Sequence, residues 1–190
     1  MGSHFYRVVA NPEVLDPWFL GEPLDSDGKP IDARSFVDDA RPYDGPLPIE
    51  VPIKKPGRAV EFGLEAFDMP VVADRIAAAL KKFEPVQIEF FPVRVGCYAT
   101  GFQIVNVISA VECIDERRTN IMWWKADDGR PDKTGKYRMI TNLTLNPSRC
   151  DGHHIFRIKG WEIALIVSEP LKQALEAMDG LGVTFLQVTH

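Results

Sequence analysis

The sequence is poor in cysteine, has no long apolar run and carries no excess of positive charge. Its three cysteines, Cys97, Cys113 and Cys150, are odd in number, widely spaced and free of any CxxC pair. That excludes a complete disulfide framework and predicts a reducing, cytoplasmic compartment. Nothing approaches the roughly 18 unbroken apolar residues of a membrane span. The N-terminus also lacks the basic region and apolar run of a secretory signal. Basic residues number 22 against 27 acidic ones, a formal net charge of -5. A nucleic-acid binder normally concentrates positive charge on one face, so that class of partner is set aside together with membrane insertion. Met1-Gly2-Ser3-His4 reads as the remnant of an expression tag and is given no functional weight.

What is present suits one soluble globular domain. The 190 residues are 45% hydrophobic and 26% charged, and a chain of this length buries about 70% of its extended surface. Residues 11–55 hold eight prolines, from Pro12 to Pro52. Each removes a backbone donor and disfavours helix in the residue before it, so loops and extended segments are expected. Leu15, Trp18, Phe19, Leu20, Ile31, Phe36 and Tyr43 are apolar anchors that a solvated tether would lack. The segment therefore reads as an arm wrapped across the helix-and-sheet body at 70–190.

In that body the periodicities are regular. Val72, Ile76, Ala79, Leu80 and Phe83 share a face at helical spacing, with Asp74, Lys81 and Lys82 opposite, which predicts an amphipathic helix over 71–83. Val86, Ile88 and Phe90 alternate with Gln87 and Glu89 as in a half-wet strand. Residues 103–109 are apolar on both faces except for Asn106, as in a central strand. Tyr137, Met139, Leu143 and Leu145 predict a further half-buried strand, and 154–158 with 161–167 a hairpin about Lys159-Gly160. Ser168, Glu169 and Pro170 are N-cap and first-turn residues of a second helix, buried through Leu171, Ala174, Leu175 and Met178. Gly180 is its left-handed stop, and 183–188 the last strand. Phe5–Val9 supplies a first one. Clustered strands do not suit regular βαβ winding. The expectation is α+β, with a mainly antiparallel or mixed sheet flanked by two amphipathic helices.

Motifs that would name a reaction are missing. There is no phosphate loop, no GxSxG and no HExxH. Gly180-Leu181-Gly182 is followed by Phe185 where a dinucleotide fingerprint needs its third glycine. Asp25-Ser26-Asp27-Gly28 looks like half a calcium loop, but with Gly28 at the turn position the first and twelfth ligands fall on Pro23 and Arg34, so it reads as a turn. His153 and His154 would point to opposite faces of a strand and could not share a metal there. Cys150 with His153 would be a thiolate–imidazole pair, and Glu112, Asp115 and Glu116 would be paired carboxylates, but a polar turn and a charged strand end account for the same strings. No metal, cofactor or catalytic residue is expected.

Residues 120–136 carry a different signal. Met122-Trp123-Trp124 runs directly into Lys125, Asp127, Asp128, Gly129, Arg130, Pro131, Asp132 and Lys133. Large aromatics beside a charged rim are typical of protein-recognition surfaces, where a few anchors carry most of the energy. Trp123, Trp124, Asp127 and Asp128 are the candidate partner-binding residues.

Several short strings, in order, resemble a family of bacterial immunity proteins, the eleventh in the classification of polymorphic-toxin immunity proteins. They are Trp18 with Gly21, Asp27-Gly28, Phe36, Met69-Pro70-Val71-Val72, Phe91-Pro92-Val93, Asn106-Val107 and Cys113-Ile114-Asp115. Ile155-Phe156-Arg157, the run from Ser168 to Leu175, and Gly182-Val183-Thr184-Phe185 complete them. The resemblance implies a stoichiometric inhibitor without cofactor or catalytic residues, which binds a cognate toxin domain and protects the producing cell and its kin. It names no binding residue. The competing readings are a small hydrolase or transferase built on Cys150 and His153 or on the carboxylates, and a ligand-binding module.

Overall fold

The computed structural model describes residues 4–84 and 86–189, so most of the tag-like N-terminus lies outside the described residues. Along the chain come β1 (Phe5–Ala10), β2 (Phe19–Leu20), β3 (Ile49–Val51), β4 (Ile53–Lys55), β5 (Phe62–Leu64) and β6 (Pro70–Ala73), then helix α1 (Asp74–Phe83). They are followed by β7 (Ile88–Val95), β8 (Tyr98–Val107), β9 (Ala110–Val111), β10 (Asn120–Trp123), β11 (Tyr137–Thr141), β12 (Ile155–Ile158) and β13 (Trp161–Ser168). Helix α2 (Glu169–Glu176) and β14 (Val183–Gln187) close the chain.

The strands form two five-stranded sheets and not the one sheet expected. The first has the order β14-β1-β13-β12-β9 and the second β3-β7-β8-β6-β5, with the pairs β10-β11 and β2-β4 separate. Most neighbours are antiparallel; each large sheet has one parallel pair at an edge, β9 on β12 and β3 on β7. The alternation of side chains sorts the apolar residues into layers. Val8, Leu165 and Val167 from the first sheet meet Val72, Val105 and Val107 from the second in one cluster, together with Ile76 and Leu80 of α1 and Leu171 and Leu175 of α2. The opposite side of the first sheet, Phe5, Phe156, Ile158 and Ile166, is covered by residues between Val111 and Cys150. The opposite side of the second, Val71, Val93, Val95 and Ile104, is covered by Trp18, Leu20, Ile31, Phe36 and Val37. Burying each such side chain contributes about 1.5–3 kcal/mol, so each cover is held by several large increments.

Three local expectations change. The first helix begins at Asp74, because Val71 and Val72 pair with Ile104 and Gln103 in the second sheet and bury into opposite clusters. Val72 lies four residues before Ile76, so helical spacing alone could not exclude it, and strand pairing overrides the pattern. The strand expected over 137–145 ends at Thr141, since Asn142 takes φ +51. Asparagine is among the few residues that enter the left-handed region readily. At the strand's centre the phase is also inverted, with Met139 exposed and Ile140 buried, while Tyr137 stays partly buried as expected. Ser168 occupies the N-cap position of α2 without a side-chain cap bond; its hydroxyl lies 2.8 Å from His154 Nδ1.

One polar group joins the sheets. The Arg157 side chain on β12 is fully buried and donates to the carbonyls of Glu162 (3.1 Å), Ile163 (3.3 Å) and Asp68 (3.4 Å). Asp68 ends the tight turn before β6, where it and Phe67 have φ of +56 and +57. Burial lowers the Arg157 guanidinium to about 10, so it stays charged at neutral pH, and Asp68 and Asp38 oppose the shift. Removing one member of such a group leaves an uncompensated buried charge.

Candidate protein-binding surface

The segment that covers the first sheet also carries three half-exposed apolar side chains in one hairpin. β10 and β11 form a hairpin in which Ile121 pairs with Ile140 and Met122 with Met139, with a bulge between Met122 and Trp123. The two-residue period divides these pairs between faces. Ile140 and Ile121 turn toward the cluster under the first sheet. Met122 and Met139, directly opposite each other, are 49% and 51% exposed. Trp123 follows at 40% exposure, its ring 4.7 Å from that of Tyr137.

The other sequence-expected residues are organised by Arg138. Its guanidinium lies 4.8 Å from the Trp124 ring centroid and its Nη1 is 2.9 Å from Asp128 Oδ1. Lys133 approaches the same ring at 5.6 Å. Asp128 Oδ2 accepts the backbone N–H of Lys125 at 2.9 Å. That backbone bond, with Arg138 beside it, holds the Asp128 carboxyl below the usual aspartate range. Trp124 and Asp128 thus brace the loop, whereas Trp123 and Asp127 are its exposed members. A second internal clasp, Arg130 on Asp132, is bidentate at 3.0 and 2.8 Å. Residues 124–138 contain five basic and three acidic side chains, so the hairpin end is net basic within an acidic chain.

Beside the hairpin a cleft of about 600 Å³ is lined by Glu112, Asp115, Glu116, Arg149 and Tyr137, among others. The three carboxylates do not form a reactive pair. Glu112 faces Lys159 at 3.7 Å, Asp115 accepts the Arg117 N–H at 3.1 Å, and Glu116 accepts the Tyr137 hydroxyl at 3.2 Å. Nor is the Cys150–His153 pair assembled. The Cys150 thiol meets the Asn146 carbonyl at 3.4 Å and adjoins Cys113. His153 Nδ1 lies 3.5 Å from Ser109 Oγ, and its ring packs on Phe156. The 25–28 segment is a turn, in which Asp25 Oδ1 accepts the N–H groups of Asp27 and Lys29, both at 2.9 Å. Among the described residues no group of three or more His, Cys, Asp or Glu is placed to hold a metal ion, and no helix is long and apolar enough to cross a membrane.

Sequence reasoning missed Met122 and Met139 as surface residues. The signal was the Ile121–Ile140 pair, whose β-branched side chains mark the buried phase of both strands; the bulge at Trp123 then shifts that phase.

Fold and surface together describe a two-sheet α+β protein with a methionine- and tryptophan-faced hairpin, in which Cys150 and His153 each engage other partners. The immunity protein family Imm11 matches residues 41–190, and the chain belongs to that family. The strings at Trp18, Gly21, Asp27-Gly28 and Phe36 lie before the matched residues. No curated protein matches the sequence.

Proposed function

We propose that the protein neutralises a cognate bacterial toxin domain in the cytoplasm by occupying its surface, without turnover or cofactor, and that the β10–β11 hairpin is the contact. Membership of an immunity family supports the toxin as partner. The observation that carries the site is the exposed Met122–Met139 pair beside Trp123. Methionine and tryptophan are enriched at interfaces, methionine because its flexible thioether adapts to the opposing shape. Trp124 and Asp128 contribute by fixing the loop, and Asp127 lies at its rim. The net basic loop favours acidic groups on the facing patch of the toxin. In this reading the chain acts as one unit, with residues 11–55 as a structural arm.

The test starts from the reading frame adjacent to the gene, whose C-terminal toxin domain is coexpressed and titrated. Met122→Asp with Met139→Asp is expected to keep the fold, because exposed substitutions change stability by no more than about 0.5 kcal/mol. It is expected to weaken toxin binding by at least about 2 kcal/mol, the scale of a central anchor. Rescue of toxin-expressing cells falls with it. Leu186→Asp, at an equally exposed apolar position on β14, serves as control and leaves affinity unchanged. Full affinity in the methionine double variant removes the hairpin from the interface.

A further inference from the structure

Two of the three cysteines stand at the two ends of the segment that covers the first sheet. Cys113 follows β9 and Cys150 follows the 3-10 turn Pro147–Arg149, and both are fully buried in the same apolar cluster. Both are tied to one residue. Asn146 donates its N–H to the Cys113 carbonyl at 2.8 Å, and the Cys150 thiol meets the Asn146 carbonyl at 3.4 Å. The turn itself is closed by the Cys150 N–H on the Pro147 carbonyl at 2.9 Å. The shared Asn146 anchor and the common buried cluster bring the two cysteines side by side.

We propose that Cys113 and Cys150 are a disulfide-forming pair, a redox modification site that is a dithiol in a reducing cytoplasm and staples the base of the excursion carrying the hairpin when the glutathione pool is oxidised. Two cysteines can be bridged only where their side chains already converge, and here they do. Cys97, the third, is exposed on the other sheet's β7–β8 turn. The oxidant is a low-molecular-weight disulfide such as oxidised glutathione. One protein thiolate attacks a sulfur of the glutathione disulfide, breaking its S–S bond and expelling one glutathione thiolate. The second protein thiolate attacks the protein sulfur of the mixed disulfide, forms the Cys113–Cys150 bond and expels the second glutathione. The protein gives up two electrons and two protons, and the glutathione disulfide becomes two thiols. The contact with Cys113 and burial both raise the Cys150 pKa, so little thiolate is present at neutral pH. Exchange in the folded chain is therefore slow, accelerates with pH and is fastest during refolding, before the turn closes. The bridge acts chiefly on the unfolded chain, by closing the loop between the two positions. This chemistry does not depend on the toxin reading.

The experiment uses the full chain with Cys97→Ser, refolded from urea in glutathione redox buffer and, in parallel, under reductant. The expected product has lost two hydrogen masses, shows no free thiol, yields a Cys113–Cys150 linked peptide without reduction, and unfolds at a higher urea midpoint that reductant reverses. Cys97→Ser/Cys113→Ala and Cys97→Ser/Cys150→Ala should show no oxidant-dependent shift. Two free thiols after oxidative refolding, glutathione adducts in place of the link, or a link that lowers the midpoint would each overturn the assignment.

Discussion

The two large sheets are covered in opposite ways. Over the second sheet, the cover from Trp18 to Val37 is mostly inward: Trp18, Leu20, Ile31, Ala33, Phe36 and Val37 are buried, and Phe19, at 62% exposure, is its outward-facing ring. Its backbone is stitched down by bonds such as Gly21 N–H to the Pro52 carbonyl and Leu24 N–H to the Glu50 carbonyl, both 2.7 Å. Over the first sheet, residues 111–150 bury Val111, Cys113, Ile114, Ile140, Leu145 and Cys150 but leave Met122, Trp123 and Met139 half in water. The cover of the second sheet exposes one large apolar side chain, Phe19; the cover of the first exposes three, gathered in one hairpin. Prolines account for part of the contrast. They interrupt regular pairing, so this backbone is held by scattered single bonds to neighbouring segments as well as by its side chains, whereas a hairpin satisfies its own backbone and can stand out from the body.

Deleting a core anchor from each cover breaks the comparison most strongly. Phe36 is fully buried, its ring 4.3 Å from Tyr43 and 5.8 Å from Phe91. Phe36→Ala is expected to destabilise the chain by about 3–5 kcal/mol in urea unfolding. Ile140→Ala should cost nearer the low end of the range for such truncations, about 2 kcal/mol, because its partner Ile121 is only partly buried and the hairpin can settle into the space. Equal losses would mean that both covers are packed alike.

The contrast was only partly legible in the sequence. Alternation located β7, a run apolar on both faces located β8, the hairpin signal at Lys159-Gly160 located β12 and β13, and Ser168-Glu169-Pro170 located α2, because those signals are local. That the strands divide between two sheets was not, since pairing partners such as β1 with β13 and β14 are more than 150 residues apart. At the candidate surface, Trp123 and Trp124 were visible as large aromatics before a charged loop. Their separate roles were not, because Arg138, which braces Trp124 and Asp128, reaches them only across the hairpin. The Cys113–Cys150 juxtaposition was equally hidden, since it depends on one 3-10 turn over Asn146.

A smaller effect sharpens the hairpin side. Trp124→Ala removes a ring held by Arg138 and Lys133. Exposed cation–π contacts are worth about 0.5–1 kcal/mol, so the global unfolding midpoint should barely move. Limited proteolysis within 125–136 should nevertheless accelerate, because the brace is local. A clear drop in global stability without local cleavage would place Trp124 in the core of the cover and not at its outer edge.

The smallest effect lies at the seam of the other cover. Glu65 receives the Leu20 N–H on Oε2 at 3.2 Å, and burial raises its pKa despite that bond. The folded chain therefore binds a proton more readily there than the unfolded chain does. In the pH window above the ordinary glutamate range, the unfolded state has already lost that proton, so stability falls as pH rises. Glu65→Gln keeps an acceptor for Leu20 and removes the buried charge. It is expected to unfold at a slightly higher urea concentration than the parent at pH 7, with the difference vanishing as pH falls below the ordinary glutamate range. A variant that is less stable at pH 7 would instead mean that the charged form strengthens the Leu20 bond by more than burial costs, and that this cover is held at this point by electrostatics as well as packing.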